Sequence, residues 1–214
     1  MTQNAKCTAL AIPIACGNIT FTHSRLDAEK YVIQQSDQQM QICCPAVTDI
    51  FCDPNGKISN NSLPMLLCTV DNTKPFTLQA KVTSGFTPDG LYNAADLVIF
   101  AHDTLWQKLC FEQDDYGHYR VVSVRTDGTS DDCNHDPHDV PSLYLKISSD
   151  THTVGCYYSL NGKDWVMVRV SKNSYPQQLF VGIASQCPSK GECCSTFAEL
   201  GLDTANVSDF RTGS

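Results

Sequence analysis

The chain has 214 residues, 42% of them hydrophobic, which is enough for one large domain or two small ones with a sizeable core. Its net charge of −8 gives no general attraction to nucleic acid or to an anionic membrane. No apolar run reaches the ~18 residues that would span a bilayer as a helix.

The start, "MTQNAKCTALAIPIACG", has one lysine and a short apolar run broken by Pro13, which makes a poor signal peptide. The expectation is a chain that begins after a removed leader, with residues 1–19 as an N-terminal extension that suits a strand stapled by disulfides. "SRLDAEKYV" (24–32) suits a short helix. Strand signals then dominate: "FTLQAKV" (76–82), "DLVIFAH" (96–102), "LWQKLCF" (105–111), "RVVSVRT" (120–126), "SLYLKIS" (142–148), "VGCYYSL" (154–160), "WVMVRV" (165–170) and "LFVGIAS" (179–185). Asp89-Gly90, Tyr116-Gly117, Asp127-Gly128 and Asn161-Gly162 supply turns between them. Short strands at this spacing predict an all-β protein, an antiparallel sandwich or barrel over residues 20–210, with a tail at 211–214.

Twelve cysteines lie between Cys7 and Cys194. An even, high count without C-x-x-C spacing points to disulfides in an oxidising compartment rather than to zinc. The sequons at Asn18, Asn60 and Asn206 agree with a secreted or secretory-lumen location. The expectation is a disulfide-stapled fold.

Alternation sorts each strand into two faces. Leu105, Leu109 and Phe111 oppose Trp106, Lys108, Cys110 and Glu112. Val122 and Val124 oppose Ser123 and Arg125, and Leu143, Leu145 and Ile147 oppose Tyr144 and Lys146. Tyr157 opposes Cys156 and Tyr158, and Trp165, Met167 and Arg169 oppose the valines around them. Taking the apolar sets as core places Trp106, Lys108, Glu112, Arg125, Tyr144, Lys146, Tyr157 and Arg169 on one aromatic and cationic surface. The rival is an ordinary solvated sheet face.

"TSDDCNHDPHD" (129–139) packs four aspartates and two histidines into eleven positions. Pro137 stands between His135 and His138 and forbids a helix that would aim both at one ion. The aspartates do not follow a calcium-loop pattern. The stretch reads as a rim loop tied down by Cys133, with no metal, in which His135 or His138 is placed for proton transfer.

"TDIFCDPNG" (48–56), "WQKLCFE" (106–112), "SVRTDGTSDD" (123–132), "YSLNGKDWVMVRV" (158–170) and "FVGIASQCP" (180–188) resemble, in this order, the uncharacterised concanavalin A-like family that includes the yeast "regulation of enolase" protein. The resemblance implies a jelly-roll of two curved antiparallel sheets with a concave ligand face, and no settled activity. The cysteine load departs from that family. In size and cysteine usage the chain also resembles fungal hetero-Diels–Alderases of tropolone-sesquiterpenoid pathways.

Glucanases of this fold carry E-x-D-x-x-E, and the nearest match, "EQDDYG" (112–117), has Gly117 in place of the second glutamate. Retaining hydrolysis needs two carboxyl groups, so a glycoside hydrolase is disfavoured. No phosphate-cradling loop, nucleotide fingerprint or nucleophile elbow is present, and no cofactor is expected. Two functions stay open. One is cofactor-free cyclisation or cycloaddition of a small oxygen-rich molecule, with Lys108, Glu112, Arg125 and His135 as catalytic candidates. The other is non-catalytic glycan binding. In either, Trp106, Tyr144, Lys146, Tyr157 and Arg169 are the ligand-binding candidates. The expected partner is a small molecule or a glycan, without nucleic acid or membrane.

Overall fold

In a computed structural model of the protein, residues 7–214 are described. In chain order the strands are β1 (Cys7–Cys16), β2 (Ile19–Arg25), β3 (Val32–Ser36), β4 (Gln39–Pro45), β5 (Ile50–Cys52), β6 (Ser59–Asn61), β7 (Met65–Asp71), β8 (Phe76–Thr83), β9 (Ala94–His102), β10 (Leu105–Gln113), β11 (Tyr119–Asp127), β12 (Thr129–Pro137), β13 (Leu143–Ser149), β14 (Thr153–Ser159), β15 (Val166–Lys172), β16 (Gln178–Gln186) and β17 (Glu192–Asp203). A single 3-10 turn at Ala28–Tyr31 stands where the short helix was expected. One sheet has the order β1-β2-β7-β16-β9-β10-β11-β12, and the other β15-β14-β13-β8-β17-β4-β3. The strand pairings are antiparallel. The fold is the expected two-sheet sandwich. Residues 7–16, expected in an extension, form an outer strand of the larger sheet; residues 1–6 lie outside the described part.

Period-two alternation builds the core between the sheets. Leu78, Ala80 and Val82 of β8 and Leu143, Leu145 and Ile147 of β13 meet Leu97 and Ile99 of β9 and Leu109 and Phe111 of β10, all buried. Burying each large side chain contributes about 1.5–3 kcal/mol.

The larger sheet has a second buried face. The strap 46–64, with its small β5–β6 ladder, lies over the outer side of β9, β10 and β11. Its Ile50 and Leu63 pack with Val98, Phe100, Trp106, Val122 and Val124. Arg25, fully buried at the end of β2, holds the strap. It donates to the Leu63 and Asn61 carbonyls and the Asn61 side chain, pairs with Asp103 at 3.2 Å, and lies 5.3 Å from the Phe100 ring centroid. Because both faces of this sheet are dry, Val122 and Val124 belong to the strap side, contrary to the sequence reading.

Stretch 129–139 is not a loop. Thr129–Pro137 forms edge strand β12, joined to β11 through a turn at Gly128, whose φ of 77° suits glycine. An edge strand has one partner and a wet flank, so its polar composition concealed it.

The disulfide expectation holds once. Cys43 of β4 faces Cys194 of β17 and bonds to it; ten other cysteines are free, seven of them buried. Cys133, expected to anchor a loop, is among the free ones. Most of the thiols serve as small core residues, as buried free cysteine commonly does.

Two outcomes follow. Alkylation of the denatured, unreduced protein should add ten groups per chain by mass spectrometry; fewer than half that number would restore a disulfide-rich reading. Arg25→Met should cost roughly 3–5 kcal/mol in denaturant unfolding, because Asp103 loses its buried partner, and should red-shift Trp fluorescence as the strap loosens over Trp106. A cost within ~0.5 kcal/mol, typical of a surface change, would show that Arg25 does not pin the strap.

Candidate functional site

The register of the larger sheet stacks three rows of outward side chains beneath the strap. Phe100 lies opposite Trp106 and Phe180, Asp96 opposite Cys110 and Ala184, and Ala94 opposite Glu112 and Gln186. Lys108, opposite Val98, lies between the first two rows. The first row is apolar, and the others gather charge.

Lys108 Nζ donates to Asp49 Oδ1 on the strap at 3.1 Å and to Gln186 Oε1 at 2.7 Å. The Gln186 amide then donates to Glu112 Oε2 at 3.1 Å and to the Tyr92 carbonyl at 2.7 Å. Asp49 is itself oriented by the Ile50 N–H at 2.7 Å and the Asn60 amide at 2.8 Å. Asp96 is fully buried, with the Cys110 thiol opposite it as its hydrogen-bond neighbour. Asp132 of β12, level with Lys108 through Val124, stands at the rim.

Four carboxyl groups therefore surround one ammonium. Burial works against the charge on Lys108, but Asp49, Cys110, Asp96 and Glu112 outweigh it and raise its pKa, so it stays charged. Asp49 occupies that charge directly. Glu112 is pushed up to about 8, by burial first and then by Asp96, Asp49 and Asp132, against the pull of Lys108. Asp96 is pushed up to about 6 by burial, again against Lys108. Asp132, exposed at the rim, is raised as well, by partial desolvation of its carboxyl first. At neutral pH the cluster holds the Lys108 ammonium and a protonated Glu112 that keeps 8% of its surface exposed. A neutral carboxylic acid set beside a fixed cation can donate a hydrogen bond to a carbonyl oxygen and stabilise charge developing there.

The eight side chains expected on one surface are found in three places. Trp106, Lys108 and Glu112 share the outer face of the larger sheet. Trp106 is only 1% exposed, with its indole N–H donating to the Asp103 carbonyl at 3.2 Å, so it offers no stacking platform. Arg125 points to the other side of that sheet, bound to Ser174 Oγ at 3.0 Å and 3.6 Å from Asp127. Arg169 reaches Ser123 Oγ at 3.0 Å and the Asp131 carbonyl at 3.1 Å. A bulge between Cys156 and Tyr157 skips Val168, so Arg169 falls opposite Cys156 while Met167 falls opposite Tyr157. That one-residue shift turns Arg169 away from Met167.

Tyr144, Lys146 and Tyr157 lie on the outer face of the smaller sheet. There Lys146 Nζ sits 3.6 Å from the Trp165 ring centroid and donates to the Gly213 carbonyl, and Tyr157 is fully buried, donating to the Phe210 carbonyl. His135, the remaining catalytic candidate, packs against Tyr158 with ring centroids 5.1 Å apart, beside the sandwich core rather than the Lys108 cluster. Asp49, Asp96 and Gln186 were missed. Asp96 carried a signal, since it is a carboxylate at the head of the apolar run "DLVIFA".

In three dimensions the chain is similar to a functionally unknown protein from Saccharomyces cerevisiae, at 22% identity and TM-score 0.75, over 85% of this chain and 95% of that one. It is also similar to the GH43 protein BlXynB from Bacillus licheniformis (14% identity, TM-score 0.61, 86% of this chain and 36% of that one) and to a legume lectin-like domain from Entamoeba histolytica (10%, 0.52, 82% and 87%). At these identities the likeness is one of fold, a concanavalin-like jelly-roll sandwich. No curated protein sequence matches the chain. A family model described as "Protein of unknown function (DUF1349)" matches residues 26–205, and the chain belongs to that family.

Proposed function

We propose that this protein binds a small oxygen-rich organic molecule at the Glu112 edge of the strap-covered face and catalyses its cyclisation or cycloaddition without a cofactor. One observation carries the reading: Glu112, hydrogen-bonded to Gln186 and next to the Lys108 ammonium, is held protonated at neutral pH. In a hetero-Diels–Alder reaction of an enone with an electron-rich alkene, one C–C and one C–O bond form and nothing leaves. Negative charge builds on the carbonyl oxygen in the transition state. A hydrogen bond from Glu112 to that oxygen lowers the barrier with no net proton transfer. The resemblance in size and cysteine usage to fungal hetero-Diels–Alderases supports this chemistry.

Glycan binding has less support from the geometry. Trp106 and Tyr157, the two rings expected to stack on sugars, are buried.

The test is an enone–alkene panel followed by chiral chromatography. The protein should accelerate and bias at least one pairing, and Glu112→Gln should lower that rate by about 10²-fold, at the low end for acid catalysis. Because the protonated form acts, the rate should hold below pH 8 and fall as Glu112 ionises above it. No acceleration across the panel, together with oligosaccharide binding on a glycan array, would replace this reading with the lectin-like one.

A further inference from the structure

The outer strand β1 has an unusual composition for a sheet edge. Thr8 to Ala15 reads T-A-L-A-I-P-I-A, with no charged residue. Ile12 is 80% exposed, and Ala9, Ala11 and Pro13 are exposed beside it. Soluble proteins usually guard a long edge with charge, because its backbone groups invite another strand. The same sheet ends at its other side in β12, where Asp131, Asp132 and Asp136 are exposed. In the smaller sheet, edge strand β15 carries Arg169 and Lys172, and the other edge, β3, is only five residues long.

We infer that β1 is an interface between two copies of this chain, which pair antiparallel along the Thr8–Ile12 stretch and join their larger sheets into one. Charge selects the partner. The chain carries −8, so approach through acidic faces such as β12 is repulsive, whereas a two-fold axis at β1 sets an uncharged strand against itself. Pairing of β1 with β12 would desolvate aspartates and propagate head to tail into a filament; pairing of β1 with β1 closes after two copies. Pro13, which lacks an N–H, ends the pairing, and Leu10 to Ile12 lie in the irregularity of the β1–β2 ladder that runs between Ala9 and Ile14. The inference is independent of the proposed chemistry, because β1 is four strands away from β9 and its Asp96.

Light scattering coupled to gel filtration, run across the micromolar range, tests it. The wild-type chain should move from the mass of one 23.6 kDa chain to twice that mass as concentration rises. Ile12→Lys should stay at one chain at every concentration. Ile58→Lys, an equally conservative change on the exposed strap, should dimerise like wild type. Near-UV circular dichroism checks that each variant is folded, and amide exchange at Leu10–Ile12 should be slower in the wild-type dimer than in the Ile12→Lys monomer. A wild-type monomer throughout the range overturns the inference, and so does a dimer that survives Ile12→Lys with unchanged exchange. A wild-type monomer that co-sediments with phosphatidylcholine vesicles would instead make β1 a lipid-facing strand.

Discussion

A charge removed from water must be met by another charge, and Lys108 imposes that condition on the centre of the larger sheet. Its ammonium lies beneath the strap at 3% exposure, and Asp49, supplied by the strap, meets it. The strap is therefore bound to the sheet by the same ion pair that organises the cluster. Arg25 repeats the arrangement at the other end, with Asp103 and the strap carbonyls at Asn61 and Leu63. Ile50 and Leu63 fill the apolar space beside these two cations. The result is a sheet buried on both sides.

The carboxyl chemistry depends on this pairing. Asp49 takes the direct contact with Lys108, which leaves Glu112 and Asp96 in a dry place with too little positive charge. Burial raises both, and the negative neighbours add to it. The folded chain then binds protons at these positions more tightly than the unfolded chain does. Their contribution to stability is full below the ordinary carboxylate range and is lost as pH rises through about 6 for Asp96 and about 8 for Glu112. The neutral form of Glu112 on which the proposed function relies thus sets a cost on folding at neutral and higher pH.

The strands with strong alternation, such as 76–82 and 142–148, were legible from period two alone, and so was the pairing of Trp106, Lys108 and Glu112 on one face. Other assignments failed for physical reasons. Val122 and Val124 were read as inter-sheet core because the reading allowed only one dry face; the strap provides a second. Arg169 was misplaced by a bulge, which leaves no trace in an alternation pattern. Tyr157 and Lys146 were read as open surface, yet the segment around Phe210 and Gly213 covers them, a contact between residues more than fifty positions apart. Asp49 and Gln186 joined the site through the same kind of long-range contact, so their roles became visible only with the fold.

The proposed chemistry requires Glu112 to be protonated at neutral pH, and its carboxyl carbon reports this directly. Nuclear magnetic resonance of the 13C-labelled glutamate side chains, titrated with pH and assigned by comparison with Glu112→Gln, should show the Glu112 carboxyl titrating near pH 8. A Glu112 midpoint near 4.5, the ordinary value for this side chain, would contradict the account, because the side chain would then be a carboxylate with no proton to offer.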